Sequence, residues 1–181
     1  MLVTGAAASG KSWLAEKLAV AANEGNLVYM ATMQVRDEES QDRVAKHRLA
    51  RAGSGFETCE CPLGLPGGQE LSRFDTALLE CMSNLVANVM FVLGKSPEET
   101  VRLILAGVKS LCQSVPRVII VTNEVFSGVD DYDPYTRAYI SALGQINRRI
   151  AAQADAVIES VCGIPVFHKG KEDVIKYETV F

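Results

Sequence analysis

The chain has little of what many functions require. Among its 181 residues only two are histidine and one is tryptophan. Acidic residues outnumber basic ones, 22 to 18, which gives a net charge of −4 and a pI near 5.3. That balance argues against a nonspecific grip on nucleic acid, which needs a basic face. No apolar run approaches the ~20 residues of a membrane-spanning helix. The cysteines, at 59, 61, 81, 112 and 162, are odd in number and irregular in spacing, which excludes a disulfide framework. Cys59-Glu60-Cys61 has no histidine near it in sequence to complete a zinc set, so reduced thiols and a cytoplasmic location are expected. A glycine-rich segment begins at residue 5, and a signal peptide would leave no room for a strand ahead of it. There is no internal repeat and no low-complexity stretch. With 48% hydrophobic and 22% charged residues, the composition is that of a soluble globular protein. The length suits one domain over residues 1–181 that buries about 70% of its unfolded surface.

What is present starts at that segment. Gly5-Ala6-Ala7-Ala8-Ser9-Gly10-Lys11-Ser12 matches G-x-x-x-x-G-K-[ST] in full. The two glycines let the backbone curl so that successive N–H groups face phosphate oxygens. Lys11 is placed to reach the β- and γ-phosphates, and the Ser12 hydroxyl to ligate Mg²⁺. The strand-like Leu2-Val3-Thr4 precedes the motif. Leu14, Leu18 and Ala21 follow it at i, i+4 and i+7, one face of a helix whose positive end would meet the phosphates.

Apolar β-branched runs alternate with helical stretches, the pattern of a parallel sheet covered on both faces. Strands are expected at residues 2–4, 27–32, 56–59, 75–79, 117–122 and 156–161. A C-terminal β-hairpin is expected from 165–168 and 174–180 across Lys169-Gly170-Lys171. Helices are expected at 12–24, 37–51, 83–93, 97–113 and 134–153, and a surface loop at 62–68. Helix 83–93 is apolar around most of its circumference, so it is buried in the protein or in a subunit interface. Trp13 is expected to pack beside the first helix. His168 is expected at the surface, with no role.

Ligands of such sheets gather at the carboxyl ends of the strands. Glu80 and Glu124 each follow an apolar run there and are the carboxylates available to a metal beside Ser12, unless they are merely solvated strand ends. Asp75 opens its strand and belongs to the far end. Arg43, His47 and Arg51 share one helix face at i, i+4, i+8. Flanking guanidiniums disfavour imidazolium, which leaves His47 the neutral form a nucleophile needs while the arginines hold phosphate oxygens. Spacing alone favours a polar surface helix on which a histidine happens to fall.

These segments together resemble the bifunctional adenosylcobinamide kinase / adenosylcobinamide-phosphate guanylyltransferase family of cobalamin assembly. The likeness runs through the phosphate loop, Tyr29-Met30-Ala31-Thr32-Met33-Gln34, Arg43…His47-Arg48…Arg51, Phe56-Glu57-Thr58-Cys59-Glu60 and Leu78-Leu79-Glu80-Cys81…Asn84…Asn88. It continues in Val121-Thr122-Asn123-Glu124-Val125, Arg137…Gly144…Asn147, Ala154-Asp155…Val157 and Gly163-Ile164-Pro165-Val166. The resemblance implies an α/β P-loop NTPase fold, RecA-like, with a mostly parallel sheet flanked by helices, assembled as a homotrimer. It implies two reactions. One is phosphorylation of the amino-propanol hydroxyl of adenosylcobinamide. The other is transfer of GMP from GTP to that phosphate through a guanylylated histidine, here His47. GTP and ATP are the implied substrates and Mg²⁺ the cofactor. Guanine nucleotide is implied to lie against Thr32, Met33, Gln34, Arg48, Leu49, Ala50, Arg51, Glu60 and Glu80.

The chain departs from the family pattern in places. Ala6 and Ala8 replace a glycine and an arginine of the loop, which removes one phosphate contact and leaves the backbone cradle. Phe126-Ser127-Gly128-Val129-Asp130-Asp131 replaces a glycine turn with a bulky, then acidic, segment, and Ser141 stands where aspartate is common. Two other readings fit the same residues. One is a diverged P-loop kinase for another small alcohol, in which His47 only contacts phosphate. The other is a catalytically silent nucleotide-binding module.

Overall fold

Strand after strand in this chain carries buried side chains on both of its faces, and that sets the layering. The structure, a computed structural model, describes residues 1–34, 53–125 and 131–176. Seven strands are described: β1 (Leu2–Thr4), β2 (Leu27–Ala31), β3 (Phe56–Glu60), β4 (Thr76–Glu80), β5 (Arg117–Val121), β6 (Val157–Val161) and β7 (Ile164–Lys169). They form one sheet in the order β3-β2-β4-β5-β1-β6-β7, parallel throughout except for the antiparallel β6–β7 pair.

Successive side chains of a strand point to opposite faces, and the two cores divide accordingly. Val28, Met30, Ala77, Leu79 and Ile120 join one apolar cluster, with the buried stripes of α3 (Met82–Phe91), α4 (Pro97–Ser114) and α5 (Pro134–Gln153). Leu27, Tyr29, Leu78, Ile119 and Val121 join the other, under α1 (Lys11–Ala22). Burying each valine, leucine, isoleucine or methionine among them contributes about 1.5–3 kcal/mol. The helices begin where their sequences say. Ser96 and Glu99 form a capping box ahead of α4, with Pro97 in its first turn. Asp133 accepts hydrogen bonds from the amides of Tyr135 and Thr136 ahead of α5.

Helices expected at 12–24, 83–93, 97–113 and 134–153 stand within two residues of those bounds. The one expected at 37–51 lies outside the described residues. The C-terminal hairpin is real but differently made. Among the described residues β7 pairs with β6 across Cys162-Gly163. Of the second expected strand, 174–180, residues 174 and 175 end a helix, while 177–180 lie outside the described residues. Lys171–Ile175 is a short helix, α6, which starts after Gly170 in the left-handed region. Gly170 sits so close to Asp155 that an added Cβ would lie 2.1 Å from its carbonyl oxygen. No strand continues through that turn. The loop expected at 62–68 is present over 62–67 and leads into a further short helix, α2 (Gly68–Leu71).

Helix α3 is buried along most of its length, yet Phe91, Val92 and Leu93 at its end are 55, 43 and 42% exposed. The Phe91 ring lies 6.1 Å from that of Tyr139. Trp13, expected to pack beside α1, stands out into solvent with the Lys17 ammonium 5.5 Å from its ring centroid. His168 is exposed and its Nε2 lies 2.9 Å from a Glu159 carboxylate oxygen.

Candidate active site

The segment between β1 and α1 lies at the carboxyl edge of the parallel strands, between the ends of β5 and β6. It has the shape its glycines allow. Gly10 has φ 88 and Ala8 φ 56. A Cβ on Gly5 would lie 2.5 Å from the Ser9 hydroxyl oxygen and 2.7 Å from the Ser160 carbonyl oxygen, so only glycine fits. Ala6, Ala7 and Ala8 form its exposed rim, while Gly5, Ser9 and Lys11 are buried. The Lys11 ammonium folds back over the loop to donate to the Ala6 carbonyl at 3.1 Å. No side chain caps α1 and no acidic residue lies in its first turn. The first-turn amides and the positive end of the helix dipole therefore have no side-chain acceptor from the cap residue or an acid of that turn.

Across from the loop, the Ser12 hydroxyl donates to Glu80 Oε1 at 2.6 Å. This brings together, from positions far apart in sequence, two of the oxygen groups expected beside a triphosphate. Glu80 is the last residue of β4 and stands in register with Ala31 of β2, which pairs in turn with Glu60 of β3. At about 4.8 Å per strand, Glu60 lies two strands from Glu80 along the same edge, on the exposed side strand. Glu124 follows β5, the strand between β4 and β1, and its amide donates to the Gly5 carbonyl at 3.0 Å, so it flanks the loop on the same side as Glu80. Among the described residues, no three of His, Cys, Asp and Glu gather to hold a metal ion. Ser12, Glu80 and Glu124 supply one hydroxyl and two carboxylates, hard oxygen donors of the kind Mg²⁺ takes.

Thr32 is 0% exposed. Its hydroxyl lies 3.0 and 2.9 Å from the Glu80 and Cys81 carbonyls and accepts the Cys81 amide at 2.8 Å. It thus fixes the chain on which the Glu80 carboxylate stands. The Asn88 amide donates to the Thr32 and Pro62 carbonyls, both at 2.9 Å, and so ties α3 to the ends of two other segments. Met33 and Gln34 follow, half-buried. His47, Arg48, Leu49, Ala50 and Arg51 lie outside the described residues.

The thiols near this edge are not reactive ones. Burial pushes Cys61 up to about 12 and raises Cys81 as well, which keeps both protonated at neutral pH. Burial also lifts the Tyr139 phenol to about 12. Its hydroxyl donates to the Ser83 carbonyl at 3.3 Å.

Sequence reasoning assigned nothing to Ser160, Ser83 or Asn123. The Ser160 hydroxyl bonds the Ser9 carbonyl, and the Asn123 amide donates to the Ser83 hydroxyl at 2.7 Å. The available signal was a lone inward-facing serine in the run Val157–Val161.

The model of the family described as cobinamide kinase / cobinamide phosphate guanyltransferase matches residues 1–167. The bifunctional adenosylcobalamin biosynthesis protein CobU of Salmonella typhimurium is 33% identical over 183 residues, covering 92% of this chain and 97% of its own. The protein of the same description from Escherichia coli K12 is 34% identical over 179 residues, with the same coverage. The Pseudomonas aeruginosa protein CobP is 34% identical over 173 residues, covering 94% and 97%. Among solved structures, a KaiC-like protein of Pyrococcus horikoshii OT3 superposes with a TM-score of 0.47 at 14% identity, over 87% of this chain and 70% of that one. With its phosphate loop formed and residues 1–167 matched, the chain belongs to the cobinamide kinase / cobinamide phosphate guanyltransferase family.

Proposed function

We propose that this protein, as one nucleotide-binding domain over residues 1–181, phosphorylates the amino-propanol hydroxyl of adenosylcobinamide. It then transfers GMP from GTP onto that phosphate, giving adenosyl-GDP-cobinamide and pyrophosphate. The observation that carries the reading is the Ser12–Glu80 contact at the mouth of a formed phosphate loop, in a chain matched by the family along residues 1–167.

In this reading the loop amides and Lys11 bind the phosphates of GTP or ATP and stabilise the pyrophosphate as it departs. Ser12, Glu80 and Glu124 are the residues that would hold Mg²⁺, and the cation would offset phosphate charge. His47, kept neutral by Arg43 and Arg51, attacks the α-phosphorus of GTP. The bond to the pyrophosphate oxygen breaks as the bond from the imidazole nitrogen forms, and the ring proton is lost. The acceptor phosphate then displaces the imidazole, so that one difficult transfer becomes two easier ones. Thr32, Met33, Gln34, Arg48, Leu49, Ala50, Arg51, Glu60 and Glu80 surround the guanine nucleotide. The exposed Phe91, Val92 and Leu93 support a homotrimer, since a contiguous apolar surface favours a protein contact. Among the described residues no helix is long and apolar enough to cross a membrane, which accords with a cytoplasmic location.

The test is covalent. Protein incubated with GTP labelled at the α-phosphate and then denatured is expected to retain acid-labile label. His47→Ala should lose it, together with at least about a thousandfold of guanylyl transfer. A loss below about tenfold would refute the covalent role. Label passing from the γ-phosphate to a small acceptor with no adduct would point to a kinase alone. Binding without turnover would point to a silent module.

A further inference from the structure

Two segments 151 positions apart meet at a single carbonyl. The Ser9 carbonyl accepts the Ser160 hydroxyl at 2.6 Å and the Gly163 amide at 2.9 Å. Ser160 is 1% exposed, so solvent does not compete for its hydroxyl. The β6–β7 turn that presents both donors is itself fixed. Cys162 and Gly163 have φ 51 and 82, and Val161 pairs with Ile164 across them. That is the two-residue geometry whose twist suits the flanking strands. The approach is close enough that a Cβ on Gly10 would lie 3.3 Å from Gly163 Cα.

We infer that Ser160 is a positioning residue for triphosphate binding: with the Gly163 amide it holds the Ser9 carbonyl outward and so sets the Gly10 amide towards the phosphates. The reason is covalent geometry. In a planar trans peptide the C=O and the following N–H point to opposite sides. A Ser9 carbonyl held against the β6–β7 turn therefore turns the Gly10 N–H away from it, to the side where loop amides meet phosphate. Were that peptide to rotate, a carbonyl would face the anion in place of a donor. The Glu124 amide holds the Gly5 carbonyl on the other flank, so the loop is braced from β5 and β6 together before any ligand arrives. Binding then does not have to order the loop, which is how preorganisation raises affinity.

The inference rests on the reading of residues 5–12 as a triphosphate cradle, so its test separates the two. Full-length wild type, Ser160→Ala, Ser160→Cys and Lys11→Ala are titrated with α,β-methylene GTP, which cannot release pyrophosphate, and with GMP. Ser160→Ala is expected to weaken the triphosphate about tenfold. Its affinity for GMP should stay within about twofold, and KM for GTP should rise with kcat little changed. Ser160→Cys keeps the shape with a weaker donor, should fall between, and carries the measurement if the alanine variant does not fold. Triphosphate binding unchanged in both Ser160 variants would overturn the inference, and so would an equal loss of GTP and GMP. If Lys11→Ala also binds triphosphate as wild type does, the cradle reading falls and takes the inference with it. If Lys11 matters and Ser160 does not, the inference alone falls.

Discussion

Strand β4 carries an acid at each end, and the two are used differently. Asp75, just ahead of the strand, is held within the fold: both carboxylate oxygens lie 2.8 Å from Arg117 Nη1, and the Glu24 amide donates to one of them at 2.9 Å. Glu80, at the other end, accepts from Ser12, the residue that closes the phosphate loop. The amino edge of the sheet ties acid to arginine between the chain's own elements. The carboxyl edge ties acid to a hydroxyl that is itself a metal ligand in such loops. The difference lies in the partner more than in burial: one acid is tied to arginine within the fold, the other to the hydroxyl of the phosphate loop.

The sharpest way to break that contrast is Glu80→Gln, which keeps the shape and the bond from Ser12 but removes the charge. Activity with nucleotide and Mg²⁺ should fall about a hundredfold in kcat/KM. The midpoint of thermal unfolding should move by no more than about 2 °C. A variant that unfolds more readily but turns over normally would make Glu80 a second Asp75.

Thr32→Val probes the boundary between the two uses. The substitution keeps volume but leaves the buried Cys81 amide without its acceptor, at a cost of about 1–3 kcal/mol read from the urea midpoint. If Thr32 also fixes the Glu80 carboxylate, the activity of the folded fraction drops about tenfold besides. Stability lost with activity intact would make this part of the carboxyl edge structural.

The sequence carried much of this. The phosphate loop, the parallel sheet and four long helices were legible because each rests on local pattern: glycine spacing, β-branched runs and the 3.6-residue period. The positions of Glu80 and Glu124 after their strands were legible because a strand's end is visible in its sequence, and that of Asp75 because it comes just before one. The C-terminal hairpin was misread for the same reason. Residues 174–180 alternate like a strand, whereas the true turn, Cys162-Gly163, lacks the asparagine or aspartate that marks such turns. The structural parts of Ser160, Asn88 and Thr32 were not legible at all. Their bonds go to backbone atoms of distant segments, and a carbonyl acceptor leaves no trace in residue identity.

Asp75→Asn has the smallest expected effect and tests the contrast from the other side. The Glu24 amide, the Thr76 hydroxyl and Arg117 together hold the Asp75 carboxyl below its ordinary value of 3.8, against the opposing effect of burial. A carboxyl whose folded pKa lies below its unfolded one binds fewer protons in the folded state. Its contribution is therefore complete above pH 3.8 and is lost as pH falls through the lower, folded value. Wild type should thus lose thermal stability on acidification below pH 3.8 more steeply than Asp75→Asn, whose side chain has no such proton to take up. At neutral pH the variant should melt slightly lower, as expected for a partly exposed ion pair. Nucleotide turnover should remain within about twofold of wild type, because nothing at the amino edge reaches the phosphate loop. Identical acid limbs in the two proteins would show that Asp75 contributes nothing to the pH dependence of folding. A large loss of turnover would show that the two ends of β4 are not separate in function.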